Sequence, residues 1–543
     1  MKTTMKPPQL DINVQQLREL SKRLEGQLEK SDYEMVKAIL ETYLYLYTLV
    51  QQKSTSIKKL LRTLFGKTEK ADKLLSKPQE SKGKNDDDAP PDEGTSAGAP
   101  EQKKKGKGHG RNSHLEYSGA EREKVPHPEL KHGDPCPECP KGRVYQVKVP
   151  ETIMRIKATP PLQATAYELE KFRCNACQAI FKAPLPVEAG PEKYDETAGA
   201  IIPIFRYGSG FPFNRLENLQ AGLGVPLPVS TQWDVTEKTA NKIYPAYDEL
   251  LRQAAGAELL HNDDTPAIVL ELMKQIDAAQ QQEKPSRTGI FTTGIVAKLQ
   301  EHKIALFFTG RNHAGENISA VLKNRQPGLP PPIQMCDALS RNLPKAFKTI
   351  LANCLTHGRR NFVDVYSNFP EQCRYVIETL AEVYKHDAHT RQQALSADER
   401  LAYHQVHSGP LMEALHQWLG EQLQDKKAEP NSGLGQAIKY MLNHWEALTL
   451  FLRVPGAPLD NNICERALKR AILHRKNSLF YKTEHGAYIG DLFMSLIHTC
   501  HLSKINPFDY LVSLQKYSSE VFKNPGNWLP WNYQQTIAAL TAP

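Results

Sequence analysis

Long apolar runs are missing from this 543-residue chain. The longest, such as Leu44 to Val50, is broken by Tyr45, Tyr47 and Thr48 and falls well short of the roughly 18 residues a membrane-spanning helix needs. A mean hydropathy of −0.53 points the same way. The opening residues, MKTTMKPPQL, carry lysines with no apolar stretch behind them, so no secretory signal is expected. These absences predict a soluble cytoplasmic protein with no membrane partner. Cysteine is also scarce, at nine residues, an odd number that excludes a disulfide scaffold. Four of the nine fall in C-x-x-C pairs, which in a reducing compartment suggests metal rather than disulfides. Acid is in deficit: 69 Lys and Arg exceed 61 Asp and Glu by 8, which favours a polyanionic partner. At roughly 150 residues per domain the length predicts three or four domains.

Apolar residues recur at helical spacing from about residue 12 to 75 (Leu17, Leu20, Leu24, Leu28, then Met35, Ile39 and Leu46). Residues 1–77 therefore read as a leucine-rich helical arm, either a hairpin packed on its own protein or a coiled coil for self-association. Between 78 and 126 the composition shifts to Pro, Gly, Ser, Asp and Lys, which cannot bury enough apolar surface to offset its ordering entropy. That segment is expected to be a flexible linker, its Lys103 to Arg111 run being a solvated charge cluster or a phosphate contact. Over 127–190, Cys136-x-x-Cys139 and Cys174-x-x-Cys177 flank a stretch rich in β-branched residues. Two such pairs joined through a short hairpin supply four thiolates at tetrahedral corners, as a structural zinc ribbon requires. A redox dithiol would instead need one pair opening a helix in a thioredoxin-like unit, and neither pair does. Residues 191–255 are mainly helical. A helix, a Gly224-Val225 turn and a second helix from about Ser230, with Trp233 and Val235 inward, outline a helix-turn-helix-like DNA-binding region.

From 256 to 369 the pattern changes to short apolar runs. Strands are expected at Leu259 to Asp263, Thr288 to Ile295 and Ile304 to Gly310, then a helix from Ala314 to Lys323. Further strands follow at Pro332 to Cys336 and Ile350 to Leu355, before a His357-Gly358-Arg359-Arg360 turn. Three strands, a helix and two more strands is the order of a ribonuclease-H-like α/β core, in which the ends of the first and fourth strands lie side by side. Asp263 and Asp337 fall at those ends. Residues 370–454 read as a helical insertion. Over 455–543, after Pro455-Gly456-Ala457-Pro458, a closing helix begins with Asp460 or Asn461 as N-cap and carries Glu465 in its second turn, followed by C-terminal helices. The fold class is thus multidomain α+β.

HNDDTP at 261–266, THGRRNF at 356–362 and LDNNICERALKRAILHRKNSLF at 459–480, with the EHGAYIGDLFMSLIHTC that follows, resemble transposases of the insertion-sequence-66 family. The resemblance covers nearly the whole chain, and the D-N-N-x-x-E-R block is its most specific part. It implies an Asp-Asp-Glu triad whose first acid is Asp263, second Asp337 and third Glu465. Alternation along a strand sends Asp263 and Asp264 to opposite faces, so only one of them can join. Many relatives follow the second acid with Gly-Tyr, where this chain has Ala338-Leu339. Asp364 competes for that role but reads as a helix-surface residue.

Three carboxylates are hard oxygen ligands suited to Mg²⁺ or Mn²⁺, and two such ions can activate a nucleophile and stabilise a leaving oxygen in phosphodiester chemistry. Without metal the cluster would repel itself. The resemblance therefore implies a metal-dependent polynucleotidyl transferase that acts on double-stranded DNA, both terminal inverted repeats and target. It also implies a homo-oligomer, a place at the nucleoid and, in some relatives, accessory proteins of the same element. Taken singly, Asp263 and Asp337 could be turn residues and Glu465 a partner of Lys469 on a solvated helix face. His261 offers a His-x-Asp-Asp hydrolase reading without the further histidines such enzymes need. Two functional alternatives stay open: a zinc-ribbon DNA-binding protein with a defunct core, and a structure-selective nuclease. DNA-backbone contacts are expected from His357, Arg359, Arg360, Lys469, Arg475 and Lys476, with His474 beside them. The charge supports this placement. Residues 338–360 and 466–483 hold five and six basic residues and no acid, so these two segments carry +11 while the rest of the chain is net −3.

Overall fold

The computed structural model describes residues 161–173, 180–282 and 287–542, with short pieces before residue 161. Almost all of the expected arm (1–77) and linker (78–126), and all four zinc-ligand candidates Cys136, Cys139, Cys174 and Cys177, lie outside the described residues. Within the expected ribbon, strands β1 (Lys171–Arg173) and β2 (Ile180–Lys182) pair antiparallel.

Helix α1 (Glu196–Pro203) starts where Asp195 accepts hydrogen bonds from the Thr197 and Ala198 amides, and it runs into a π-helical turn at Ile204–Gly208. Helix α2 (Phe213–Gly222) and helix α3 (Val229–Ala255) form the expected helix pair, and Gly224 between them takes φ +77°, a conformation glycine adopts without a side-chain clash. Trp233 and Val235 pack against the small cluster around Leu216 and Leu227. Helix α3 continues for 27 residues, and its stripe of Ala240, Ile243, Tyr247, Leu250 and Ala254, at alternating spacings of three and four, lies in the main core.

A five-stranded mixed sheet forms the centre: β3 (Leu259–Pro266), β4 (Phe291–Leu299), β5 (His302–Gly310), β6 (Ile333–Cys336) and β7 (Ile350–Asn353), in the order β5-β4-β3-β6-β7. The first three are antiparallel neighbours, while β3–β6 and β6–β7 are parallel. Helix α4 (Leu270–Gln281) interrupts the expected run of three strands; it buries only Leu272 and Ile276, so its apolar stripe is thin. Helix α5 (Ala314–Leu322) precedes β6. The His357-Gly358-Arg359-Arg360 segment, expected as a turn, is instead part of helix α6 (Leu355–Val365), because Leu355 and Phe362 are buried at helical spacing.

Helices α7 (Pro370–Gln392), α8 (Ala397–His407), α9 (Gly409–Gln424), α10 (Gly433–Asn443) and α11 (Trp445–Leu448) make a second core with α6 and the parallel side of the sheet, where Met335 and Ala352 meet Ile377, Leu415 and Met441. The start of α8 is fixed by a reciprocal capping box between Ser396 and Glu399. Helix α12 (Asn462–Ser478) lies over β3 and β4, and helix α13 (Glu484–Leu502) runs along β5. Asp491, Ser495 and Thr499, four residues apart, accept from the β5 amides of Thr309, Phe307 and Ala305, two residues apart. Four residues of helix advance about 6 Å and two of strand about 6.6 Å, so the two ladders match and the exposed edge of the sheet is closed. Helices α14 (Pro507–Lys516), α15 (Ser518–Lys523) and α16 (Tyr533–Thr541) complete the chain. Cys336, Cys354, Cys373, Cys464 and Cys500 are all buried and unbridged. Among the described residues no helix is long and apolar enough to cross a membrane.

Candidate active site

The parallel register of β3 on β6 pairs Leu259 with Ile333 and His261 with Met335. Two residues further on, Asp337 stands just past the end of β6 beside Asp263, which lies within β3 because that strand runs on to Pro266 instead of ending at Asp263 as expected. Strand alternation then separates Asp263 from Asp264. Asp264, with a side chain only 1% exposed, turns toward α5: it accepts from Thr293 Oγ1 at 2.6 Å and the Ala314 amide at 3.1 Å, and lies 3.3 Å from His313 Nδ1. Its oxygens are committed to joining strand and helix. Asp263 lies opposite Gly294 in the β3–β4 ladder and turns to the other face, toward α12.

Gly294 sets how closely α12 can approach. A Cβ there would sit 2.9 Å from Leu468 Cγ, and its carbonyl lies 3.2 Å from Cys464 Sγ. Such a glycine in a strand interior marks close approach of another element. Asn461, fully buried, fixes the helix start. Its Nδ2 donates to Asn262 O at 3.0 Å, its Oδ1 meets His261 Nδ1 at 3.0 Å, and its amide reaches Cys354 Sγ at 3.3 Å. Asn461 is the N-cap by position, yet its side chain staples α12 to β3 rather than capping the helix. Glu465 consequently falls in the first turn of α12, not the second as expected, where its charge acts on Asp263.

Burial, and then the negative charges of Asp337 and Glu465, push the Asp263 carboxyl up to about 7. Burial also raises Asp337, against the opposing influence of His357 and Arg341, and Asn342 Nδ2 donates to its Oδ1. Glu465 Oε1 is buried with no hydrogen-bond partner, and His357 Nε2 lies 3.8 Å from it, beyond hydrogen-bond reach. Burial and Arg360 lower the His357 pKa, against the opposing pull of Glu465 and Asp337. Cys354 Sγ joins His357 and Glu465 in a group whose ligand atoms lie within 4.8 Å of one another, although burial pushes this thiol up to about 11 and keeps it protonated. An orphaned carboxylate oxygen amid mutually repelling acids is a donor set that fits a divalent cation. His261 is removed from any such role: it is buried, bonded to Asn461 and lowered to about 4.

The expected DNA contacts separate into three kinds. Lys469 and Lys476 are exposed on α12. Arg359 and Arg360 are half-buried on α6, next to His357 at the acidic cluster. Arg475 is half-buried too, donating to Thr265 Oγ1 at 3.2 Å and to Pro266 O, so it braces the end of β3. His474 corrects the sequence expectation: it is 2% exposed, stacked on Tyr207 and Tyr481, and lowered to about 3 by burial, which takes it out of reach of a DNA backbone. Gly294, Asn342 and the stapling role of Asn461 were not singled out from sequence. Glycine inside an apolar strand was the available signal for the first.

A five-stranded mixed sheet with an acid within its central strand, another just past the neighbouring parallel strand, and a third acid on a helix laid across the sheet is consistent with the ribonuclease-H-like core of Asp-Asp-Glu enzymes. The family model described as Transposase IS66 family matches residues 194–489, more than half the chain, and the chain belongs to that family. Membership implies polynucleotidyl transferase activity, divalent-metal catalysis and DNA as partner at the level of the family. Two similar proteins come from Sinorhizobium fredii (strain NBRC 101917 / NGR234). Uncharacterized protein y4hP is 27% identical over 399 residues, 68% of each chain. Uncharacterized protein y4jD is 28% identical over 384 residues, 67% of this chain and 71% of that one.

Proposed function

We propose that this protein is a DNA transposase that binds the terminal inverted repeats of its element, cleaves strands at the ends and joins them to target DNA, with Asp263, Asp337 and Glu465 as its acidic triad. The observation that supports this reading is that Asp337 and Glu465 both lie near enough to the buried Asp263 to add to the rise that burial gives its carboxyl, within a chain of this family. The three side chains would hold Mg²⁺ or Mn²⁺, two ions in all, which when bound supply nucleophile activation and charge neutralisation at the leaving oxygen.

The chain's own residues prepare that site. Asn461 and Gly294 fix the height of Glu465 over the sheet, and Asn342 orients Asp337. The imidazole of His357 on α6 faces Glu465 across 3.8 Å. Arg341 acts on Asp337 and Arg360 on His357, and the exposed Lys469 and Lys476 continue the positive charge along α12, where phosphates would lie. Hydrolysis and strand transfer both form one P–O bond and break another at phosphorus, first with water and then with a released 3′-hydroxyl as nucleophile, so one site serves both. In this reading the ribbon at 127–190 is a structural zinc module, residues 191–255 contribute to DNA binding, and the arm at 1–77 holds a homo-oligomer that pairs the two ends.

The test incubates the full chain with labelled DNA that carries the flanking inverted repeats and Mg²⁺, comparing wild type with Asp263→Asn, Asp337→Asn and Glu465→Gln. Cutting and joining by wild type alone is expected. Activity in any one variant removes that residue from the triad; cutting without joining marks a nuclease, and specific binding without cutting a DNA-binding protein.

A further inference from the structure

Helix α12 ends in an unusual way. Leu479 takes φ +68° and ψ −51°, and the Phe480 amide bonds Ser478 O at 2.9 Å, a γ-turn of positive φ centred on a leucine. Residues with a side chain avoid this conformation, and it persists only where the surroundings over-determine it. Here they do. The Leu479 amide bonds Arg475 O at 2.8 Å, the Tyr481 amide bonds Ile268 O at 2.9 Å, and Tyr481 O accepts from the Leu270 amide at 2.9 Å. The buried Tyr481 ring is stacked on His474 with centroids 4.8 Å apart. On this pinned base Leu479 is 60% and Phe480 37% exposed, next to Ile268 at 40%.

The tip stands at the other end of α12 from Glu465, about 20 Å along the helix at 1.5 Å per residue. Arg475, one turn before Leu479, braces Thr265 and Pro266 on the strand that carries Asp263, about 10 Å beyond that acid at roughly 3.3 Å per residue. Lys476 and Lys482, both exposed, flank it, and the chain has no acid between Glu465 and Glu484. Three apolar side chains are too few for a protein interface, which needs roughly 20 residues a side. A part-exposed aromatic beside an exposed leucine, with Arg475, Lys476 and Lys482 close in sequence, fits a nucleobase, whose face stacks while its phosphates meet the basic side chains.

We propose that Leu479 and Phe480 form a wedge that stacks on a nucleobase and opens the DNA duplex about six base pairs from the phosphate at the acidic cluster, at roughly 3.4 Å per base pair. This rests on the transposase reading. Unstacking one base there lets the duplex bend so that the scissile phosphate reaches the site, and the rigid turn makes the wedge effective because little of its own freedom is lost on binding.

The experiment uses the full chain and duplexes of the element end with 2-aminopurine at successive positions around the cleavage point. Wild type should raise the emission several-fold at one or two positions. Phe480→Ala should abolish that rise while binding the end within about 3-fold of wild type. It should cut the paired duplex about 10-fold more slowly, a loss of about 1.4 kcal/mol, and recover on a duplex mismatched at the same position. Phe480→Trp should keep both signal and rate. A 2-aminopurine rise that survives in Phe480→Ala, or a mismatch that fails to restore its cutting, overturns the wedge. Wild type that cuts and joins with no rise anywhere overturns the wedge alone; wild type that neither binds nor cuts overturns the transposase reading and the wedge with it.

Discussion

Replacing Asp263 by asparagine should make the metal-free protein more stable while abolishing its chemistry. The Asp263 carboxyl is pushed from 3.8 up to about 7 by burial and by Asp337 and Glu465. A raised acid pKa means the folded state holds its proton more tightly than the unfolded one. The fold is therefore favoured below pH 4 and loses stability as pH rises from about 4 to 7, after which the loss is constant. Each pH unit in that window costs about 1.4 kcal/mol, about 4 kcal/mol in all, and water reaching the carboxylate lowers this to about 2–4 kcal/mol. Asp263→Asn removes the charge at nearly constant volume, so at pH 8 its melting temperature should exceed that of wild type by roughly 4–8 °C, at roughly 2 °C per kcal/mol for a domain this large. At pH 5 more than half of the advantage should be gone. Millimolar Mg²⁺ at pH 8 should raise wild type and leave the variant unchanged. Tryptophan emission is the natural readout, since Trp233, Trp418, Trp445, Trp528 and Trp531 all lie beyond the ribbon. A variant no more stable than wild type at pH 8, or an advantage unchanged between pH 8 and pH 5, would refute the reasoning.

The neighbouring acid should behave oppositely: Asp264→Ala leaves Thr293, His313 and the Ala314 amide without their buried acceptor and should cost about 3 kcal/mol in urea unfolding. Gly294→Ala places a methyl 2.9 Å from Leu468 Cγ and lifts α12 off the sheet, so cutting should slow by about 10–100-fold with a stability loss of only about 1–3 kcal/mol. Leu479→Gly relieves the positive-φ turn and should raise stability by about 1 kcal/mol in thermal unfolding, while the 2-aminopurine rise is lost. Purified wild type should hold about one zinc per chain by plasma emission, and Cys174→Ser should lose it; zinc-free wild type would dismiss the ribbon.

Much of this architecture was legible in the chain because periodicity and punctuation are local. The five strands of the central sheet, the helix before β6, the helical stretch from 370 and the helix carrying Glu465 were all marked by apolar spacing and breakers. What local pattern missed was set by weak amphipathicity or by long-range burial. Helix α4 hides only two side chains, and the HGRR segment is drawn into α6 by Leu355 and Phe362 packing against the second core.

The motifs at 261–266, 356–362 and 459–480 carried the resemblance to the family and the acids worth following, and the basic surplus pointed to a polyanionic partner, since these depend only on residue type and spacing. Alternation stated that Asp263 and Asp264 must part, yet which one meets Asp337 is decided by what covers each face: α5 with its donors for Asp264, α12 and Glu465 for Asp263. The same holds for His474 and Leu479, five residues apart on one basic helix end. Sequence makes them equally available to DNA; the stack of Tyr207 and Tyr481 buries the first, and a γ-turn pinned by the 268–270 backbone holds the second in solvent. Burial is a property of partners distant in the chain, and only the tertiary structure supplies them.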